Sequence, residues 1–269
     1  MWMCTPTLLA GGLVAGCGMQ PSASDLTAEQ VSAITAGVQA IRGLSDTTVA
    51  AGSSAASEDQ QNGKTLVAQS ITFGECPVIT LDSAQDDQPA ALTLDFGDGC
   101  TPDGATAVCT GSATGTIRFN PRELSLEYSG FGCGLRTVDG TAVYTWLRTG
   151  DTVRVNGDWD ITIDPADELA VNMDGAGQAR YDSGERATTI EDHSGVVTYD
   201  GRSWDIDLSG VQVSYRNNAN LVGFAGTMAI SGGPVGALDV TFDADSPTTG
   251  VVSVSINGGP QFDYTLVGF

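Results

Sequence analysis

The chain is short of basic residues. Its 269 residues hold 11 Lys and Arg against 33 Asp and Glu, giving a formal net charge of −22 and a sequence pI near 4.1. Lys64 is the single lysine. Holding a nucleic-acid backbone needs a basic patch that displaces counterions, and this composition excludes such a partner. Charge-driven adhesion to an anionic membrane surface is excluded for the same reason. Histidine is nearly missing, with His193 alone. No apolar run approaches the ~20 residues of a membrane-spanning helix. What is present is 41% hydrophobic residues in short β-type runs. That content excludes disorder throughout. The length suits one large all-β domain or two small ones.

The first 16 residues carry no charged side chain, and residues 8–16 form a short run of small and aliphatic residues. Its length fits a signal-peptide core. The run ends in Val14-Ala15-Gly16-Cys17, which resembles a bacterial lipobox. The resemblance implies a signal peptide over 1–16, cleavage before Cys17 and lipidation of its thiol. It implies export and a membrane partner reached through the lipid. Gly18 stands where an inner-membrane retention signal would place Asp, so the outer membrane is the expected destination. Residues 1–7 lack the basic residue that usually opens a signal peptide, which implies a coding start further upstream. Several acyl chains, each buried CH₂ contributing ~0.8 kcal/mol, make attachment stable without help from the acidic part.

Beyond a polar leader, Thr27 and Gln30 have capping-box spacing, and Glu29 suits a first helical turn. Val31, Ile34, Val38 and Ile41 form one apolar helical stripe. The spacing predicts a helix of ~15 residues that stops at Gly43 and docks on the rest of the chain. Residues 17–45 thus comprise the lipidated Cys, leader and amphipathic helix. Residues 46–64, rich in Ala, Ser, Gly and Gln, read as a flexible linker.

From residue 65 to 269 the period is two. Val153, Val155, Trp159, Ile161 and Ile163 share one face, and Arg154, Asn156, Asp158, Asp160 and Asp164 the other. That alternation runs through Asn156-Gly157 and predicts one long strand instead of a hairpin. Asp200-Gly201 predicts a turn pairing Val197 with Trp204. Asn257-Gly258-Gly259 predicts one pairing Val254 with Phe262. The fold class expected is all-β, an antiparallel meander closed into a barrel or sandwich, with one N-terminal α-helix. The terminal aromatic strand resembles the end of an outer-membrane barrel, but most strands read as too short to span a bilayer.

Cys76, Cys100, Cys109 and Cys133 are spaced by 24, 9 and 24 residues. An even count in an exported chain implies two disulfides. Three pairings exist. Cys76–Cys100 and Cys109–Cys133 each close a predicted hairpin, and each is worth ~3 kcal/mol in the chain-entropy picture. The spacings match neither a redox C-x-x-C nor a zinc knuckle. The block Cys76-Pro77-Val78-Ile79-Thr80, Leu92-Thr93-Leu94-Asp95-Phe96-Gly97-Asp98-Gly99-Cys100 and Asp103-Gly104 resembles a segment, here 76–104, of uncharacterised bacterial surface lipoproteins. That family brings no activity.

Catalytic motifs are absent: no G-x-S-x-G, no phosphate-cradling Gly loop and no H-E-x-x-H occurs. His193 adjoins Ser194, with Glu191 and Asp192 nearby, but neighbours in an extended chain point to opposite faces and make no triad. The expectation is a polar turn before the Val197 strand. Asp158, Asp160 and Asp164 share a strand face, as do Asp205 with Asp207 and Asp239 with Asp243. Such pairs suit a glycan-directed hydrolase or a calcium-dependent adhesin. Asp95 and Asp98 are the weak calcium candidates. Trp146, Trp159 and Trp204 separate core packing from a sugar platform. The leading expectation is a lipid-anchored cell-envelope protein whose β-rich ectodomain binds or builds structure, without catalysis or cofactor. Its protein or glycan partner is not readable from the sequence.

Overall fold

The computed structural model describes residues 7–9, 12–14, 22–56, 71–73, 76–82, 89–101, 108–134, 136–166, 169–214 and 223–266. Helix α1 (Ala28–Ala56) begins at the expected cap. The Gln30 amide donates to Thr27 Oγ1 at 3.2 Å, and the Thr27 amide donates to Gln30 Oε1 at 2.9 Å. This reciprocal pair satisfies two donors that a helix start leaves orphaned.

The stop expected at Gly43 does not occur, because the helix runs 29 residues to Ala56. Gly43 supplies space: a Cβ there would press into the Ile163 side chain. The linker expected over 46–64 is therefore corrected over its first part. Asp46, Thr47, Thr48, Ala50, Ala51 and Ala55 are helical and buried. The remainder of that linker lies outside the described residues.

A short hairpin joins β1 (Thr7–Leu9) to β2 (Gly12–Val14). The other strands form one 14-stranded sheet in chain order, antiparallel throughout. They are β3 (Ile71–Phe73), β4 (Val78–Leu81), β5 (Ala90–Asp95), β6 (Cys109–Phe119), β7 (Arg122–Cys133), β8 (Arg136–Thr149) and β9 (Thr152–Pro165). After these come β10 (Val171–Asp182), β11 (Ala187–Tyr199), β12 (Arg202–Ser214), β13 (Ala225–Ser231), β14 (Ala237–Thr241), β15 (Val251–Ile256) and β16 (Phe262–Thr265). A four-residue helix, α2 (Ser246–Thr249), lies between β14 and β15.

The all-β meander with one N-terminal helix is as expected, and so is the unbroken β9. Val197 pairs with Trp204 and Val254 with Phe262. Asp200 and Gly201 both take positive φ, 51° and 71°, the twist a two-residue hairpin turn needs. Strand length differs from expectation: β6 to β12 have 11 to 14 residues. Their outward faces carry mostly Thr, Asp, Asn and Arg, with scattered exposed Val143, Leu147 and Val196, and not the continuous apolar band of a lipid-facing barrel.

The sheet is not closed into a barrel, since β3 and β16 are the two ends of the strand order. It folds over α1 like a sandwich. Gly37 lies against Met228 and Ile206 of β13 and β12, whereas Asp46 pairs with Arg136 of β8. Those positions are about 180° apart around a helix of 3.6 residues per turn. A helix gripped from both sides buries residues all round: Ala33, Ile34, Ala36, Ala40 and Ile41 are fully buried, and so are the polar Ser45, Asp46, Thr47 and Thr48.

The two ends of the fold differ. Gln30 Nε2 donates to the Val235 carbonyl at 3.2 Å, so α1 starts beside the β13–β14 connection. Gly52 packs against Tyr181, so α1 finishes beside the β10–β11 turn. We call these the near and far ends.

Candidate functional site

Polar groups inside the fold lie between α1 and the sheet. Arg136 Nε sits 3.0 Å from Asp46 Oδ2, and its terminal nitrogen donates to Asp46 Oδ1 at 3.2 Å. Both side chains are almost wholly buried. At the next residue, Trp159 Nε1 donates to Thr47 Oγ1 at 3.1 Å. The Tyr128 and Tyr144 hydroxyls are 2.7 Å apart. Burial pushes the Tyr144 hydroxyl up to about 12 and Tyr128 well above its ordinary value. These groups stay protonated at neutral pH and act as hydrogen-bonding packing.

His193 is a correction to the sequence reading. It lies within β11 and points inward, 1% exposed, its ring edge-on to Trp159 at 5.6 Å. Glycine makes room for it: a Cβ at Gly177 would stand 2.6 Å from the His193 Cα, and one at Gly175 2.9 Å from its Cε1. Burial lowers the His193 pKa to about 4, against a smaller upward pull from Asp192. Ser194 is on the opposite, exposed face, and Glu191 is paired with Arg154. No dyad assembles.

Asp158, Asp160 and Asp164 share the outer face of β9 as expected, and Asp205 and Asp207 that of β12. Asp243 is different. It lies beyond β14, where its Oδ1 accepts from the Asp245 and Ser246 amides at 2.9 and 3.0 Å. It fixes a loop and is not paired with Asp239. Asp239 instead faces Asp207 across Ala229, in register on β12, β13 and β14. Two strand spacings set their backbones about 10 Å apart. With Ser209, Thr227 and Gln261 they line a shallow, open depression of about 590 Å³. Trp146, Trp159 and Trp204 are 4%, 2% and 2% exposed, so all three are core residues and none forms a sugar platform.

Asp95 Oδ1 accepts from the Gly97 amide at 2.7 Å, a local turn contact. Among the described residues no group of three or more His, Cys, Asp or Glu gathers around one point. Cys76 and Cys100 are bonded, with Cα atoms 5.8 Å apart. Cys109 is also disulfide-bonded, and Cys133 stands opposite it in the β6–β7 register. Cys17 lies outside the described residues.

Sequence reasoning missed the pair of Asp46, which it placed in a linker, with Arg136 at the start of β8. It also missed that arginines flank three successive far-end turns. Arg118 and Arg122, Arg148 and Arg154, and Arg180 and Arg186 bracket the β6–β7, β8–β9 and β10–β11 turns. The period-two reading, carried through to the turns, contains that pattern.

Fold and side chains together define an all-β protein: an open antiparallel meander, disulfide-stapled, folded over one N-terminal helix. No protein-family model, no curated protein and no solved structure matches the chain.

Proposed function

We propose that this is a lipid-anchored cell-envelope protein whose β-rich ectodomain acts by binding, without catalysis of its own. The observation that carries this reading is Val14-Ala15-Gly16-Cys17 at the end of a short uncharged apolar run. The Cys76–Cys100 disulfide supports it, because such bonds persist in oxidising compartments. Cys109–Cys133 is the second staple in this reading. The outer membrane is the destination. Calcium at Asp95 and Asp98 and hydrolysis by paired Asp are the weaker readings. The second draws only on Asp207 and Asp239 in their open depression.

Cys17 precedes the near-end start of α1 by eleven residues. An anchor there leaves the far end facing away from the bilayer. The test is Cys17→Ser expressed in a bacterium with lipoprotein processing. The parent is expected in the membrane fraction, labelled by radioactive palmitate. The variant is expected unlabelled and in the soluble fraction. A variant that stays labelled and membrane-bound would overturn the reading.

A further inference from the structure

The far end carries an arrangement that strand pairing alone disfavours. Arg154 of β9 and Arg180 of β10 are directly opposite in register. Like charges so placed repel. A chain with ten arginines and a net charge of −22 had many alternatives at these two positions. One carboxylate serves both cations. Glu191 of β11 takes Arg154 in two contacts, 2.8 and 2.9 Å, and stands 4.0 Å from Arg180 Nε. Arg180 otherwise donates to Thr189 Oγ1 at 3.4 Å, a long contact. The two side chains are 53% and 43% exposed. They line a depression of about 290 Å³ with Thr149, Thr152 and the exposed Leu147.

We propose that this depression binds a single carboxylate-bearing sugar of a glycan. The carboxylate would complete the charge balance of Arg180, the less engaged guanidinium, in the planar two-contact geometry that arginine favours. Thr152 already donates to Asp182 Oδ2 at 3.3 Å and would accept from a ring hydroxyl, Thr149 would meet another, and Leu147 the apolar face of the ring. An acidic peptide fits less well. The depression lies on the outer face of β8, β9 and β10; its two arginines stand on β9 and β10, which are paired on both sides, whereas the β7–β8 pairing stops at Thr145, short of Leu147 and Thr149. An extended peptide lying over the two arginines therefore has no free edge to join there. A polyanion is repelled by the rest of the molecule, so the site suits one charge and not a charged track.

This inference rests on the binding reading above only for the direction the site faces. Its test uses the purified chain, so it stands or falls independently of Cys17. Isothermal titration at low salt compares three probes: a tetrasaccharide with one glucuronate, its methyl ester, and a tetraglutamate peptide. The acidic sugar is expected to bind at least tenfold more tightly than the ester and the peptide. Arg180→Gln should weaken it at least tenfold, Arg154→Gln less, and Arg202→Gln at the near end not at all. Unchanged melting temperatures would show that the variants fold. No binding of the acidic sugar, equal binding of the ester, equal binding of the peptide, or an Arg180→Gln variant that binds like the parent would each overturn the proposal.

Discussion

His193 illustrates how one residue changes meaning when its strand is placed. On paper it is a polar residue beside two acids. In the fold it is a core ring over two glycines, and neither ring nitrogen has a hydrogen-bond partner among the described residues. Burial holds its pKa at about 4, below the ordinary 6.5. Between those two values the unfolded chain binds the proton and the folded chain does not. Folding stability therefore falls as pH drops from 6.5 to 4, and the full loss is present below 4. At about 1.4 kcal/mol per pKa unit the loss is roughly 3 kcal/mol. His193→Leu keeps an apolar side chain of similar bulk and removes the proton site. Urea melts of parent and variant between pH 7.5 and 4.5 should diverge steadily, the variant losing less. Parallel pH curves would show that His193 is not buried neutral.

At the scale of elements, α1 is the piece that the sequence only half reveals. Its start was legible because Thr27 and Gln30 cap it by local chemistry. Its second half was not, because Asp46, Thr47, Thr48 and Ser54 look solvated. Asp46 and Thr47 are tolerated inside because the sheet supplies partners, Arg136 and Trp159, whereas Thr48 and Ser54 donate to the helix's own Leu44 and Ala50 carbonyls. Partners 90 and 112 residues away leave no local trace. Strands were legible for the opposite reason, since one buried face imposes a period of two on every residue. Outer-face sites fared worst. Arg154 and Arg180 meet only through register, and a register spanning several hairpins is not read from one. The Asp46–Arg136 pair ties α1 to β8. Asp46→Ala should cost about 3–5 kcal/mol by leaving a buried guanidinium unpaired. Asp46→Leu with Arg136→Met should recover most of that loss. Denaturant titration of the three variants measures both. A cost under about 1 kcal/mol for the single change would show that the pair does not hold the helix.

For the whole molecule the governing quantity is charge and how it is distributed. The far end balances arginine against acid, whereas the outer face from β9 to β14 carries Asp158, Asp160, Asp174, Asp205, Asp207 and Asp239. Asp160 and Asp174 stand directly opposite in register, a like-charge contact costing roughly 0.2–1 kcal/mol. Such a face keeps copies apart and blunts strand-to-strand association, at some expense in stability. Salt should relieve that expense. The screening length falls from about 10 Å at 0.1 M to about 3 Å at 1 M, shorter than the distance between alternate strands. The melting temperature should therefore rise from 0.05 M to 1 M sodium chloride. Asp174→Asn should melt higher than the parent at low salt and gain less from added salt. Sodium chloride tests screening better than sulfate, which also strengthens apolar burial. If the Asp174→Asn variant and the parent rise in parallel, repulsion at this pair is not what the salt relieves.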